Sequence, residues 1–119
     1  MQFLVMCCMD ESRWEAISAT ERQAVMDEYG RFVAQLKRAG QYVSGAKLEP
    51  ISRAISIREQ NGKPVVTDGP FAETKEQLGG YHVLECHSRE EAIALAQRLP
   101  PLAVGGVVEV RAITPAFED

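Results

Sequence analysis

The chain has 119 residues, of which 45% are hydrophobic and 25% charged, and its formal net charge is −4. These values are typical of one globular domain large enough to bury a core, so we expect a single domain over residues 1–119. An acidic chain without a run of lysines and arginines lacks the positive surface that phosphate contacts require, and nucleic-acid binding is therefore disfavoured. The cysteines, Cys7, Cys8 and Cys86, do not have the spacing of a disulfide framework.

The chain opens with a continuous apolar run over residues 2–9, which predicts a strand buried on both faces. Cys7 and Cys8 are adjacent, so their side chains point to opposite faces of that strand, and each is expected to pack as a small hydrophobic residue. The run is too short to span a membrane and has neither a basic leader nor a cleavage site. We therefore expect a cytoplasmic protein that does not bind membranes.

A connector over residues 10–14, with room for one short turn, precedes a long helix. Ser18 followed by Glu21 is a capping box, in which the serine hydroxyl accepts from the backbone N–H three residues later. Gly40 suits the left-handed position that ends a helix. Apolar side chains recur between these two points at helical spacing and predict the buried stripe, namely Val25, Tyr29, Phe32 and Leu36, widened by Met26 and Val33.

A weaker strand and a hairpin come next. Residues 42–48 are predicted to be a strand that contains Gly45 and ends before Pro50. Residues 53–59 alternate between apolar and polar side chains, which indicates a strand with one wet side. Asn61-Gly62 predicts a type I′ turn, because both central residues of that turn need positive φ. The return strand, residues 64–67, begins with proline and is therefore expected at a sheet edge.

The second half of the chain is predicted to contain a loop, a strand, a short helix and a last strand. The loop covers residues 68–78 and the strand residues 81–86. Ser88 followed by Glu91 is a second capping box, and Pro100-Pro101 stop the helix that it begins. The predicted apolar face of this helix consists of Ala92, Ile93, Leu95, Ala96 and Leu99. Residues 107–113 form the last strand, and a tail follows.

This order of elements predicts an α+β fold: a ferredoxin-like plait, βαββαβ with an inserted β-hairpin and loop. Two helices cover only one face of an antiparallel sheet, whereas residues 2–9 are apolar on both faces. A large exposed apolar face usually marks an interface, and a second copy would cover it by two-fold symmetry. We therefore expect a homodimer whose sheets pack face to face.

The predicted loop opens with Asp68-Gly69-Pro70-Phe71, in which the aspartate suits an Asx turn. Phe71 is an aromatic residue in a polar loop and is expected to fill an apolar pocket. The run VVTDGPFAETKEQLGG over residues 65–80 resembles the signature of the DGPF group of YCII-related proteins. The opening strand, the capped helix, the Asn-Gly hairpin and VEVR over residues 108–111 are also similar to that family. The resemblance implies a dimeric α/β barrel and no established activity.

The same resemblance has implications for partners and for catalysis. Relatives of this kind are often encoded near, or fused to, extracytoplasmic-function sigma factors, which implies a sigma factor as a partner. More distant YCII-like proteins carry a His–Asp pair proposed as catalytic, with the histidine on the first helix. This chain has no histidine there, and the region holds Tyr29 instead. The resemblance therefore does not transfer that pair to this chain.

Two residues are the candidate catalytic groups. Asp68 would be a general base or ligand acceptor beside a cleft, or else only a turn-forming residue. His82 would exchange protons near neutral pH, since the ordinary pKa of histidine is about 6.5, or else it is a structural histidine with satisfied hydrogen bonds. Candidate ligand-binding residues share the loop, which is otherwise a solvated segment: Phe71, Glu73, Thr74 and Lys75.

Asp10 and Glu11 are a carboxylate pair at a strand end, but no histidine or cysteine cluster supports them at metal-ligand spacing. No metal and no other cofactor is expected. Two functions stay open. In the first, the protein binds or acts on a small molecule in a cleft between the sheet and residues 68–75, where Asp68 and His82 lie close together. In the second, it is a non-catalytic accessory or regulatory module that binds a protein partner such as a sigma factor.

Overall fold

The computed structural model describes residues 1–115, so the end of the predicted tail, residues 116–119, lies outside the described residues. Six strands and three helices follow one another: β1 (Gln2–Met9), α1 (Glu11–Ala16), α2 (Ala19–Arg38), β2 (Tyr42–Lys47), β3 (Ile55–Gln60), β4 (Lys63–Asp68), β5 (Gln77–Glu85), α3 (Arg89–Ala96) and β6 (Val107–Ala112). Short 3-10 turns occupy Ile51–Arg53 and Pro100–Val104. Among residues 1–115, no helix has both the length and the apolar character that a membrane span requires.

Four strands form an antiparallel sheet in the order β2-β5-β1-β6. This is the strand order of the ferredoxin-like plait, and it confirms the predicted α+β fold class. Strands β3 and β4 pair only with each other, in a register that runs from Ile55 opposite Asp68 to Gln60 opposite Lys63. They are the predicted inserted hairpin, and Asn61 and Gly62 have the positive φ values, 51° and 79°, that its turn requires.

Helices α2 and α3 cover one face of the sheet, and each begins at a serine cap. The Ser18 hydroxyl accepts from the N–H of Glu21 at 3.1 Å, and the Ser88 hydroxyl accepts from the N–H of Glu91 at 3.2 Å. Ile93, which was predicted on the apolar face of α3, is 42% exposed and lies outside the core. The core between the helices and the sheet is formed by Phe3, Val5, Phe32, Leu36, Leu84, Cys86, Ala92, Ala96 and Leu99.

Residues 10–14, predicted to be a connector with room for one short turn, contain the cap and the first turn of α1, because the Asp10 carboxylate accepts from the N–H of Ser12 at 3.0 Å. The predicted start of β5 was wrong. Strand β5 begins at Gln77 instead of residue 81, so Gly79 and Gly80 lie inside it. A Cβ at Gly80 would lie 3.0 Å from the carbonyl oxygen of Ala46, and glycine therefore suits the close approach of β2.

Neither α2 nor α3 covers the other face of the sheet. Cross-strand pairs on this open face join Leu4 to Val83 and Met6 to Tyr81, and all four side chains are half-buried. The described chain measures 49 × 48 × 19 Å, and its thickness fits one sheet and one helix layer. Its radius of gyration is 16.5 Å, against about 13.5 Å for a compact domain of this length. The difference reflects the β3–β4 hairpin, which pairs with no other strand.

Candidate functional site

His82 lies on β5 with its side chain toward the helices, and it is only 7% exposed. It stands opposite Val5 of β1 and opposite Gly45 of β2. A buried imidazole needs a partner for each ring nitrogen. Nε2 is hydrogen-bonded to the hydroxyl of Tyr29, and Nδ1 lies 3.1 Å from the hydroxyl of Tyr42. Two phenols therefore satisfy both nitrogens.

The hydrogen bonds continue from Tyr29 to a thiol. The Tyr29 hydroxyl lies 3.4 Å from Cys7 Sγ. Tyr29 belongs to α2 and Cys7 to β1, while Tyr42 is the first residue of β2. Four elements thus each contribute one side chain to a continuous hydrogen-bonded chain, Cys7–Tyr29–His82–Tyr42, which we call the His82 network.

Gly45 makes room for the contact between Tyr42 and His82. A Cβ at position 45 would overlap the Tyr42 hydroxyl and would lie 2.7 Å from His82 Nδ1 and 2.9 Å from the Tyr81 carbonyl oxygen. The register of β2 against β5 also shifts between Tyr42 and Ser44. Glycine inside a strand made the prediction of β2 weaker. Here glycine allows the Tyr42 hydroxyl to reach the imidazole of His82.

Burial sets the electrostatics of the network. It lowers the pKa of His82 below its ordinary value, so the imidazole is neutral near pH 7. Burial, together with the hydrogen bond to Cys7, raises the pKa of Tyr29 far above its ordinary value. Burial likewise raises the pKa of Tyr42 and that of the Cys7 thiol. All four groups are therefore uncharged near neutral pH.

A neutral imidazole has one N–H donor and one acceptor nitrogen. One tyrosine therefore donates to His82, and the other accepts from it. An imidazole in this state can take a proton at one nitrogen and release a proton at the other. Both tyrosines are half-buried, and Tyr42 has the less crowded surroundings of the two.

The predicted loop residues lie elsewhere. Asp68 is the exposed last residue of β4, in register with Ile55 of the hairpin. Glu73, Thr74 and Lys75 are also exposed. Within residues 1–115, no hydrogen bond joins Asp68 or the loop to His82, whose ring nitrogens both meet tyrosines. A single chain therefore does not bring the two candidate catalytic residues into contact.

Phe71 is 77% exposed. The expectation that it fills an apolar pocket is wrong for the single chain, because the loop follows the projecting hairpin and has no core within reach. Instead the Phe71 carbonyl accepts from the Arg58 guanidinium. The start of the loop is tied to β3 by the Ser56 hydroxyl, which donates to the Gly69 carbonyl at 2.6 Å. The start of the loop is thus tied to the hairpin. Its end is tied to the main sheet, because the side-chain amide of Gln77 on β5 donates to the carbonyls of Thr74 at 2.5 Å and of Lys75 at 3.3 Å.

Three members of the His82 network had no functional role in the sequence analysis. Cys7 was interpreted as a small hydrophobic residue, Tyr29 as part of the apolar stripe of the long helix, and Tyr42 as a strand residue. The available signal was that Tyr29 is the one residue with a polar tip in that stripe. The alternation of β1 also places Cys7 on the helix side with Val5, which pairs with His82.

Metal chemistry has no evident site in the described part of the chain. Among residues 1–115, no group of three or more histidine, cysteine or acidic side chains is arranged to hold an ion. The cysteines, Cys7, Cys8 and Cys86, are free thiols.

Comparisons with known proteins give the family. A family model described as the YCII-related domain matches residues 1–116. An uncharacterized protein of Rhizobium meliloti (strain 1021) is 38% identical over 99 residues, which cover 83% of this chain and 80% of that protein.

Among solved structures, the chain is similar to 5-chloro-2-hydroxyhydroquinone dehydrochlorinase from Burkholderia phenoliruptrix AC1100, determined in complex with 2,5-dihydroxybenzoquinone. The two share 17% identity over 100% of both chains, with a TM-score of 0.46. The family model covers almost the whole sequence, and the Rhizobium relative aligns with most of it. The chain therefore belongs to the YCII-related family.

Proposed function

We propose that the protein binds a small organic molecule and transfers a proton to or from it, with His82 as the general acid–base group. The observation that carries this proposal is a buried, neutral imidazole held between two phenols, Tyr29 and Tyr42. Four elements each supply one titratable side chain to this network. Groups whose pKa values are shifted by their surroundings are concentrated at functional sites.

The path of the proton follows from the network. A ligand that hydrogen-bonds to Tyr42 meets the less crowded end of the network. His82 can then take a proton through this phenol at Nδ1, while Nε2 stays bonded to Tyr29. Because the imidazole starts neutral, its first step at neutral pH is that of a base. The reaction class is proton abstraction, as in an isomerisation or an elimination.

The loop over residues 68–75 is proposed to supply the ligand contacts, with Asp68, Phe71, Glu73, Thr74 and Lys75. These side chains are exposed and include both signs of charge. They do not reach His82 of their own chain, so we propose that a homodimer is the functional unit and that the loop meets the second copy.

Two exposed apolar surfaces support the homodimer. One is the open face of the sheet, with Leu4 and Met6 on β1. The other is the hairpin, on which Ile57 and its partner Val66 are 65% and 62% exposed and Ile55 is 63% exposed. A two-stranded hairpin is only marginally stable by itself in water. Packing against a second copy would cover both surfaces.

Sedimentation velocity tests the homodimer. We expect twice the chain mass of 13.2 kDa at micromolar concentration for the wild type. Ile57→Lys should give the monomer, because it places a charge on the exposed hairpin face. Ile93→Lys is the matched control, since Ile93 is an exposed isoleucine on the helix layer. A wild-type monomer would contradict the proposal.

A thermal-shift screen of small organic acids, phenols and enols tests the site. A ligand that binds the folded form raises the melting temperature, by an amount that grows with the logarithm of the ligand concentration divided by Kd. We expect at least one compound to stabilise the wild type and to lose most of this effect with Tyr42→Phe, which keeps the ring. Asp68→Ala reports separately on the loop. A ligand that stabilises wild type and Tyr42→Phe equally would not use the network.

A second candidate is a module that binds another protein, such as an extracytoplasmic-function sigma factor. The observation that favours it is the same exposed hairpin, with Ile57, Val66 and Phe71. Size-exclusion chromatography of the protein mixed with the sigma factor distinguishes the two candidates. Complex formation that Ile57→Lys abolishes and Tyr42→Phe preserves would favour the module. No complex would leave the enzyme proposal as the better account.

Two finer assignments belong to the same proposal. The segment Asp68-Gly69-Pro70-Phe71 supports placing the chain in the DGPF group of the family. The free thiols of Cys7, Cys8 and Cys86 support a reducing compartment, and thus the cytoplasm. Accessibility of all three thiols to a maleimide probe in unfolded protein taken directly from cells would test the second assignment.

A further inference from the structure

A second polar site lies on the helix layer, away from the open face of the sheet. Here a groove of about 600 Å³ runs between α2 and the segment that follows α3. Six side chains carry its chemistry: Glu28, Arg31, Phe32, Gln35, Arg38 and Arg98. None of them belongs to the His82 network.

The groove is positive on an acidic protein. Three arginines, Arg31, Arg38 and Arg98, face one glutamate, Glu28, whereas the whole chain has a net charge of −4. Within residues 1–115, none of the three arginines takes part in an ion pair. The sequence does not show this cluster, because Arg98 comes from a segment 60 positions after Arg38 and joins it only in the fold.

Arg98, which follows α3, is held in place by two contacts. Arg98 Nη2 donates to Gln35 Oε1 at 2.7 Å. Its guanidinium carbon lies 5.0 Å from the centroid of the Phe32 ring, which is a cation–π geometry. Phe32 itself is 7% exposed and fixed in the core. The guanidinium is therefore oriented before any ligand arrives, which reduces the ordering cost of binding.

The groove residues on α2 are regularly spaced. Glu28, Arg31, Gln35 and Arg38 recur at intervals of three and four residues, so they form one stripe along the helix. The guanidinium groups of this stripe and of Arg98 thus line one groove. A guanidinium presents a planar fork of donors that matches phosphate and carboxylate oxygens.

We propose that this groove binds a multivalent oxyanion: a phosphate-bearing or polycarboxylate small molecule. Three guanidinium groups without an ion-pair partner among residues 1–115 exceed what one carboxylate can neutralise, so a ligand with two or more negative charges fits best. A face-to-face homodimer leaves the groove open, because the groove lies on the helix layer.

Isothermal titration calorimetry at low ionic strength, with pyrophosphate and with citrate, tests the site. The wild type should bind at least one of them, and the tighter one identifies phosphate or carboxylate as the ligand chemistry. Arg98→Gln should weaken binding about tenfold or more. Arg89→Gln makes the same charge change at an exposed position of α3 outside the groove and should leave affinity within about twofold.

Gln35→Met keeps every charge and removes the acceptor that holds Arg98. It should weaken binding several-fold, which a non-specific attraction to positive charge would not produce. Two results would overturn the proposal. One is the absence of heat from either anion at about 5 mM, and the other is an equal loss of affinity for Arg89→Gln and Arg98→Gln.

Discussion

Replacing Tyr29 with phenylalanine removes one hydroxyl and leaves the ring in the core. That hydroxyl is bonded to His82 Nε2 and lies 3.4 Å from Cys7 Sγ. Its loss leaves a buried ring nitrogen without a partner, since Nδ1 is the atom that Tyr42 holds. An unsatisfied buried polar group costs about 1–3 kcal/mol. We therefore expect Tyr29→Phe to lower the free energy of unfolding by about 2 kcal/mol.

Tyr42→Phe is the matched comparison, because it removes the other phenol hydroxyl from the same imidazole. Tyr42 has the less crowded surroundings of the two, so a water molecule can replace its hydroxyl at Nδ1. We expect this variant to lose less than about 1 kcal/mol. Urea unfolding at one protein concentration measures both changes, with the midpoint shifted and the slope unchanged.

The decisive result is which of the two variants loses more free energy of unfolding. A loss for Tyr29→Phe of less than about 0.5 kcal/mol would mean that His82 Nε2 does not depend on this hydroxyl in solution. A larger loss of unfolding free energy for Tyr42→Phe than for Tyr29→Phe would mean that Tyr42, and not Tyr29, is the more deeply buried partner of His82. Either result would refute the arrangement on which the proposed acid–base role of His82 rests.

Three further predictions concern His82, Gly45 and Ser18. Burial lowers the pKa of His82, so below about pH 6.5 the unfolded chain binds a proton there that the folded chain does not. Stability therefore falls as the pH drops from 7 through this window, by at most about 1.4 kcal/mol per pH unit. Urea unfolding between pH 5 and 7 should show that His82→Asn flattens this dependence and that His87→Asn, at an exposed site, does not. Gly45→Ala should displace the Tyr42 hydroxyl from His82 and cost about 1–3 kcal/mol, and unchanged imidazole NMR shifts would contradict this. Ser18→Ala removes the cap of α2 and should cost about 1 kcal/mol in thermal unfolding.

Much of the fold could be predicted because its signals are local. The cap at Ser18, the turn at Asn61-Gly62 and the apolar run at residues 2–9 each lie within a few residues of the structure that they specify. The errors occur where the local sequence favours one structure and tertiary contacts impose another. Gly79 and Gly80 resemble a loop in sequence, yet β2 packs so closely on β5 that glycine fits the strand.

The site was harder to predict because its contacts are not local. His82 could be chosen as a candidate from its residue type alone, but its partners lie 53 and 40 positions away, at Tyr29 and Tyr42. Asp68 was the closer candidate along the chain. It ends the hairpin, however, while His82 stands in the middle of β5 and faces the helices. Proximity in sequence therefore indicated a pair that the single chain does not form.

The identity of the partner decides which way His82 can act. The His–Asp pair proposed as catalytic in more distant YCII-like proteins has its histidine on a helix, whereas here α2 contributes Tyr29 and β5 contributes the imidazole. A carboxylate beside an imidazole favours the charged form and raises its pKa, but a phenol in its neutral state has no such charge. Burial then dominates and keeps His82 neutral. A His–Asp pair can begin a reaction as an imidazolium acid, whereas in the proposed function a neutral His82 begins as a base. Ligands with an acidic C–H or O–H group are therefore the ones to screen first.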